Sequence, residues 1–142
     1  VIKFSKNLYL EREYELMKQI CHPNIMSVNS FIKTEEFFGI VMPEAIGGDL
    51  LETFSNTIFL QSDVRHVMRC LFNALKYLHQ YGIMHRDVKI ENLLIMGKNI
   101  SSNIVLSDFE FATHDKHSRD LFGVPAFVAP EMFRGQICMF FL

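Results

Sequence analysis

The sequence predicts an α+β fold, and three observations lead to this class. Short β-like runs occur within the first 42 residues and again at residues 93–95 and 104–106. Helical periodicity appears in residues 7–20 and 62–81, where apolar residues recur every three or four positions. The 142 residues, 49% of them hydrophobic, are enough for one domain with a buried core.

The composition argues against several classes of protein. The net charge is −2 at pH 7 with no basic excess, so we expect no nucleic-acid partner. No apolar run is long enough to span a bilayer and no signal peptide is visible, so we expect no membrane partner. The 3 cysteines form no C-x-x-C and no metal-binding spacing, which indicates an intracellular protein, cytoplasmic or nuclear. The sequence does not define the oligomeric state.

The first elements are a β-like run with one lysine, Lys3, and a predicted helix over residues 7–20. The helix has an apolar face formed by Tyr9, Leu10, Leu16, Met17 and Ile20. Glu13 lies on that face, where an unpaired buried charge would be costly. Lys3 is the natural partner, and the alternative is a boundary glutamate that reaches water.

A predicted hairpin and a linker follow the first helix. Pro23 ends the helix, and strands over Met26–Lys33 and Phe37–Met42 flank a polar turn. Residues 43–49 contain a proline and two glycines, which indicate a linker. Asp49 then stands where it can cap a helix that begins at Leu50.

The longest predicted helix is Ser62–Tyr81. Ser62 can cap its start and Gly82 suits its end. One apolar stripe consists of Val64, Val67, Met68, Leu71, Leu75 and Leu78.

A cluster of polar residues follows this helix. Asp87, Lys89 and Asn92 are spaced so that one loop could direct all three at one point. A carboxylate can take a proton, an ammonium can hold a phosphate oxygen, and an amide oxygen can bind a hard cation. These groups suit phosphoryl transfer. The alternative is a solvated loop that happens to be charged.

The loop resembles the catalytic loop of eukaryotic protein kinases. His85-Arg86-Asp87, with Lys89 and Asn92, follows the pattern H-R-D-x-x-x-x-N of that family. Lys89, two residues after Asp87, resembles the Ser/Thr class rather than the tyrosine class.

Four other segments resemble kinase motifs in the expected order. Residues 1–3 resemble the end of V-A-I-K, and residues 22–25 resemble the H-P-N-I turn. Residues 108–110 resemble D-F-G, and residues 123–131 resemble G-T-P-x-Y-x-A-P-E. The long helix and the A-P-E segment resemble the calcium/calmodulin-dependent group.

The resemblance implies a two-lobed kinase fold that is incomplete. Residues 1–42 would be the remnant of the small lobe, 43–49 the hinge, and 50–142 the first part of the large lobe. The small lobe would lack its first strands and the large lobe its C-terminal helices. We therefore expect a fragment, with apolar surfaces of the long helix exposed.

The resemblance also implies a role for each site residue. ATP and Mg²⁺ would be the cofactors, with Asn92 and Asp108 as metal ligands. The catalytic residues would be Asp87, Lys89 and Asn92. The ATP-binding residues would be Lys3, Glu13, Met42, Glu44, Ala45, Asp49 and Leu94. The residues linking the two lobes would be Met17, Val28, His85 and Phe109.

Regulation would involve Arg86, which we expect to hold the charge of Asp120 where many kinases carry a phosphothreonine. The alternative is that Asp120 is an ordinary solvated aspartate. Ser118 is a candidate phosphorylation site. The substrate would be a protein Ser or Thr, and the acids Asp49 and Glu91 indicate basic sequences around it.

Three departures from the kinase pattern favour an alternative function. Glu110 replaces the glycine of D-F-G, so we expect backbone strain and a negative charge close to the triphosphate. Val124 replaces a threonine whose hydroxyl would bond Asp87 and Lys89. No G-x-G-x-x-G precedes Lys3 in the sequence. The alternative is a pseudokinase or truncated kinase that binds partners without transferring phosphate.

Overall fold

The computed structural model of the chain describes residues 1–114 and Pro130. It confirms the α+β class. Strands β1 (Ile2–Ser5), β2 (Ser30–Lys33) and β3 (Phe38–Val41) form an antiparallel sheet in the order β1-β3-β2. Strands β2 and β3 are the predicted hairpin, and the Thr34 hydroxyl closes it by donating to the Phe37 carbonyl at 3.0 Å.

Helix α1 (Tyr9–Met17) packs against β3 and is shorter than predicted. Gln19 and Ile20 donate hydrogen bonds three residues back rather than four, so the chain tightens into turns after the helix. Placing Tyr9 on the buried face was wrong, because the residue is 59% exposed. The helix buries Leu10, Glu13, Leu16 and Met17.

Helix α2 (Leu50–Asn56) follows the linker after β3. The Asp49 side chain caps it by accepting a hydrogen bond from the Glu52 N–H at 2.8 Å. In the linker, the Gly47 N–H donates to the Ile95 carbonyl at 3.0 Å. The linker is therefore fixed against the strand that contains Ile95.

Helix α3 (Gln61–Gln80) lies within one residue of its predicted bounds. Capping by Ser62 was a wrong prediction, since the Asp63 carboxylate accepts the Leu60 N–H at 2.8 Å instead. Gly82 has a φ of 70°, and the Ile83 N–H donates to the Leu78 carbonyl at 2.9 Å. Glycine is favoured at such a left-handed helix end.

The buried stripe of α3 differs from the predicted one. The helix buries Val67, Cys70, Leu71, Ala74 and Leu78. Val64 and Met68 were predicted in the stripe but are 48% and 37% exposed. These two apolar residues lie outside the side of the helix that packs on the core. In the part of the chain that the structure describes, neither α3 nor any other helix is both long enough and apolar enough to cross a membrane.

A second antiparallel pair, β4 (Leu93–Ile95) and β5 (Ile104–Leu106), packs near α3. A single 3₁₀ turn, Ile90–Asn92, leads into β4. Buried residues of α1, α3, β4 and β5 belong to one hydrophobic cluster. The charged loop runs across this cluster between α3 and β4.

The segment after α1 is attached to β5 by a polar contact. Asn24 is buried, and its Nδ2 donates to the Asn103 Oδ1 at 2.8 Å and to the Ile104 carbonyl at 3.0 Å. The Met26 N–H donates to the Leu106 carbonyl at 2.9 Å. These bonds fix the base of the three-stranded sheet against the helical part of the chain.

Candidate active site

A cleft of about 480 Å³ lies between β1, the linker and the start of β4. All of the predicted ATP-binding residues and both predicted metal ligands line it. They are Lys3, Glu13, Met42, Glu44, Ala45, Asp49, Leu94, Asn92 and Asp108. The fold therefore brings together residues that are distant in the sequence.

Lys3 lies between two carboxylates at the inner end of the cleft. Its Nζ is 2.9 and 2.8 Å from the two Glu13 oxygens, and 2.8 Å from the Asp108 Oδ1. The Glu13 side chain is 2% exposed, against 31% for Lys3 and 34% for Asp108. The predicted Lys3–Glu13 ion pair is present, whereas the contact with Asp108 was not predicted.

Burial and charge act together on these three groups. Burial raises the pKa of Glu13, although the Lys3 charge opposes this shift. Burial acts to raise the pKa of Asp108, but the hydrogen bond and charge of Lys3 hold it below its ordinary value. For Lys3, burial lowers the pKa and the two carboxylates raise it, with a net rise. Lys3 and Asp108 are therefore charged at neutral pH.

Glu13 also fixes the residue that follows Asp108. Its Oε1 accepts a hydrogen bond from the Phe109 N–H at 3.1 Å. The Phe109 ring is buried and meets the His85 ring edge-on, with centroids 4.7 Å apart. Met17 is buried in the same cluster, and Val28 packs against it. Met17, Val28 and Phe109 thus share one apolar cluster, and His85 meets it through the Phe109 ring.

Asp87 lies at the centre of the loop between α3 and β4 and is 4% exposed. Its Oδ2 accepts hydrogen bonds from the Lys89 Nζ at 2.7 Å and the Asn92 Nδ2 at 3.0 Å. The Asn92 Nδ2 also donates to the Asp87 carbonyl at 2.8 Å. Among the described residues, none donates to the other oxygen of Asp87 or to the Asn92 amide oxygen. The Asp87 bond raises the pKa of Lys89, which therefore stays cationic.

His85 positions this loop as a neutral ring. Its Nε2 lies 3.0 Å from the Ser107 carbonyl, and its Nδ1 accepts the Asp87 N–H at 3.3 Å. Burial lowers the pKa of His85, which agrees with a ring protonated only at Nε2. Ser107 also bonds the Asn92 carbonyl through its hydroxyl at 3.0 Å. Ser107 was missed by the sequence reasoning, since no motif position marks it.

The linker presents unused backbone groups to the cleft. Among the described residues, no hydrogen bond reaches the N–H or C=O of Glu44, or the N–H of Ala45. The Ala45 carbonyl accepts from Gly48 at 3.0 Å. A planar ring with donors and acceptors along one edge could bind here. Asp49 lines the cleft while it caps α2, so the two roles considered for it are compatible.

Glu110 does not strain the backbone. The non-glycine residues with positive φ in the described range are Arg86, at 67°, and Asp108, at 63°. Glu110 is exposed and lies outside that region, so the expected strain was wrong. The other expected effect of Glu110, a negative charge two residues after Asp108, still applies.

Several predictions fall beyond the described part of the chain. Ser118, Asp120 and Val124 lie outside it, as does most of the A-P-E segment. The Arg86 Nε donates to the Phe111 carbonyl at 2.6 Å. Its contact with Asp120 stays a prediction.

The donor set of the cleft suits Mg²⁺ only together with a phosphate ligand. Within residues 1–114, no three His, Cys, Asp or Glu side chains are grouped to hold a metal ion. Asp108 supplies a carboxylate and Asn92 an amide oxygen, both hard ligands. Mg²⁺ is commonly held by one or two carboxylates and substrate phosphates, so these residues fit it.

Comparison with known proteins agrees with this geometry. The family model described as the protein kinase domain matches residues 2–138. The chain belongs to the protein kinase family. The resemblance is thereby confirmed, and the antiparallel sheet and helices agree with a partial two-lobed kinase fold.

Individual kinases are similar over most of the chain. The NUAK family SNF1-like kinase 2 of Rattus norvegicus is 35% identical over 91% of the chain and 21% of its own length. The calcium/calmodulin-dependent protein kinase type I of Schizosaccharomyces pombe is 32% identical over 92% and 41%. The probable serine/threonine-protein kinase fhkD of Dictyostelium discoideum is 34% identical over 88% and 18%. The chain thus spans less than half the length of these relatives.

Proposed function

We propose that the chain carries the catalytic centre of a protein serine/threonine kinase, which transfers the γ-phosphate of ATP to Ser or Thr hydroxyls of proteins. The observation that carries the proposal is the convergence of Lys89 and Asn92 on one oxygen of buried Asp87. The other oxygen of Asp87 is left to accept a hydrogen bond from a substrate hydroxyl. Such a carboxylate can orient the hydroxyl and take its proton. The name of one relative, a probable serine/threonine-protein kinase, supports the Ser/Thr class.

Lys89 and Lys3 would neutralise phosphate charge in this proposal. Lys89 lies beside Asp87 and carries a raised pKa, so it offers a permanent cation at the reacting end of the cleft. Lys3 is held by Glu13 and would contact the inner phosphates. In phosphoryl transfer most of the catalysis comes from such positioning and charge stabilisation.

Asp108 and Asn92 would hold Mg²⁺, which would neutralise charge on the transferred phosphoryl group. Asp108 now bonds Lys3 at 2.8 Å, so a metal ion would replace one of its interactions with the lysine. The lowered pKa of Asp108 keeps the carboxylate ionised and ready to bind the cation. The Asn92 amide faces the same cleft.

The adenine would lie against Met42, Glu44, Ala45 and Leu94. The backbone N–H and C=O groups of the linker offer the donors and acceptors that its edge requires. Glu91 supports a basic substrate, because it lines the cleft and its Oε2 is buried without a hydrogen-bond partner among the described residues. A cationic side chain of a substrate would satisfy that oxygen.

The same proposal includes the bounds of the lobes and the cellular location of the protein. Residues 1–42 would form part of the small lobe, 43–49 the hinge, and 50–142 the first part of the large lobe. The free thiols of Cys21 and Cys70 support an intracellular protein.

The alternative function is a pseudokinase that binds partners without transfer. The exposed Glu110 favours it, because its charge follows the metal-binding aspartate and would oppose the triphosphate. ATP binding without transfer would support this alternative over the kinase.

The test is transfer of radiolabelled γ-phosphate from Mg-ATP to a basic Ser/Thr peptide. Asp87→Asn should lower the rate by roughly 10²–10⁴-fold, because it removes the proton acceptor. The matched control is Asp63→Asn, which keeps an acceptor oxygen for the α3 start and should leave the rate unchanged. Activity that survives Asp87→Asn would refute the proposed role.

A further inference from the structure

The face of the three-stranded sheet opposite the cleft carries an open apolar groove of about 540 Å³. Because side chains alternate along a strand, Ile2 and Phe4 point away from the side on which Lys3 lines the cleft. They are 49% and 72% exposed. Ile32 of β2 and Phe37 complete the apolar walls. Contiguous exposed apolar surface of this kind marks an interaction site.

Gly39, in the central strand, lies between Ile2 and Ile32, two residues that line the groove. A Cβ atom there would lie 3.4 Å from the Ile2 Cγ2 and 3.5 Å from the Ile32 Cβ. These are ordinary contacts, so Gly39 leaves a gap between the two isoleucines that a small group could fill. Phe4 projects beside this hollow and touches Phe37 edge-on, with ring centroids 6.3 Å apart. This face therefore carries a projecting ring beside a position that has no side chain.

The rim of the groove carries one charge of each sign. Lys6 and Glu36 both line the groove and are both exposed. Neither forms an ion pair with another of the described residues. Lys6 follows β1 and Glu36 lies in the β2–β3 turn, so they occupy the same end of the sheet on opposite sides of β3.

We propose that this face is an isologous interface between two copies of the chain. In such an interface the same patch meets itself, so contacts come in reciprocal pairs. A two-fold axis along β3 places β1 of one copy over β2 of the other. Phe4 then enters the space above Gly39 and Ile32 of the other copy, and Lys6 meets its Glu36. Shape and charge are both self-complementary in this arrangement.

The interface leaves the cleft open, because it uses the opposite face of the sheet. A patch of three short strands is small, so the pairing is a weak one that depends on concentration. The opposite charges fix its register, since like charges across an interface oppose binding.

The experiment is sedimentation velocity on the whole 142-residue chain over a dilution series. Lys6→Glu and Glu36→Lys should each raise the dimer dissociation constant roughly tenfold, since each places like charges across the two-fold axis. The double variant should recover wild-type association. An equimolar mixture of the single variants should associate more tightly than either alone, because both contacts then join opposite charges.

Two controls and one filling variant complete the design. Lys98→Glu and Glu52→Lys make the same charge changes at exposed positions outside the groove and away from the β2–β3 turn, and should leave association unchanged. Gly39→Phe should abolish the dimer by placing a ring between Ile2 and Ile32, with the far-UV circular dichroism of the wild type retained.

A chain that stays monomeric at every concentration would overturn the proposal. So would a dimer that tolerates both charge reversals, or a mixture of single variants that shows no gain. If the monomer instead binds the apolar dye ANS and Gly39→Phe removes that binding, the groove takes a small molecule and not a second copy.

Discussion

Replacement of Glu13 by glutamine isolates the charge that holds Lys3. Glu13 accepts two bonds from Lys3, at 2.8 and 2.9 Å, and one from the Phe109 N–H at 3.1 Å. Glutamine keeps the size of the side chain and an oxygen for Phe109, but removes the negative charge. Loss of one partner of a fully buried ion pair costs about 3–5 kcal/mol. Lys3 is 31% exposed and retains Asp108, so we expect a smaller loss, about 2 kcal/mol.

The assay is urea denaturation of the folded chain at neutral pH, with the free energy of unfolding extrapolated to water. Glu15→Gln is the matched control on the same helix. Glu15 is 53% exposed and pairs with Lys18 at the surface, so its loss should cost less than about 0.5 kcal/mol. If Glu13→Gln destabilises the chain no more than Glu15→Gln, the ion pair does not hold the two parts of the site together.

Three further predictions concern the framework of the site. Burial lowers the pKa of His85, so below about pH 6.5 only the unfolded ring takes up a proton. As the pH falls below that value, the free energy of unfolding should decrease by up to about 1.4 kcal/mol per pH unit. Urea denaturation at a series of pH values should show a smaller decrease for His85→Gln. Asn24→Ala removes bonds of 2.8 and 3.0 Å and should cost about 1–3 kcal/mol by the same assay, whereas exposed Asn29→Ala should change little. Gly47→Ala should lower the melting temperature, because its Cβ would overlap the backbone of the β4–β5 turn, and an unchanged value would contradict this packing.

The Lys3–Glu13 pair could be predicted because an acid on an apolar helix face requires a partner. The same reasoning could not place Asp108 on Lys3, since the two residues are 105 positions apart and no local pattern joins them. Asp108 was predicted as a metal ligand alone. Its second contact depends on how the segment after β5 lies against β1, which is a property of the tertiary fold.

The sequence predicted the bounds of α3 well, but it did not predict which of its apolar residues are buried. Twenty residues of regular periodicity define α3 to within one position at each end. Periodicity shows which residues are apolar, but not which of them other elements cover. Val64 and Met68 are exposed for this reason, while Cys70 and Ala74 are buried.

The attachment of Asn24 to the start of β5 had no sequence signal. An H-P-N turn predicted only a change of direction after α1. The two asparagines that meet there, Asn24 and Asn103, are 79 residues apart. Polar contacts of this kind follow from the packing of the whole chain, since side-chain amides can bond many partners.

The central claim is that Asp87 acts on a substrate hydroxyl in phosphate transfer from Mg-ATP. The most direct measurement is the single-turnover rate of transfer to a Ser/Thr peptide by the wild type and by Asp87→Asn. Nucleotide affinity is followed in parallel. The account predicts a rate lower by roughly 10²–10⁴-fold with nucleotide affinity retained. Equal rates for the two proteins, or no transfer by a wild type that binds ATP, would contradict it.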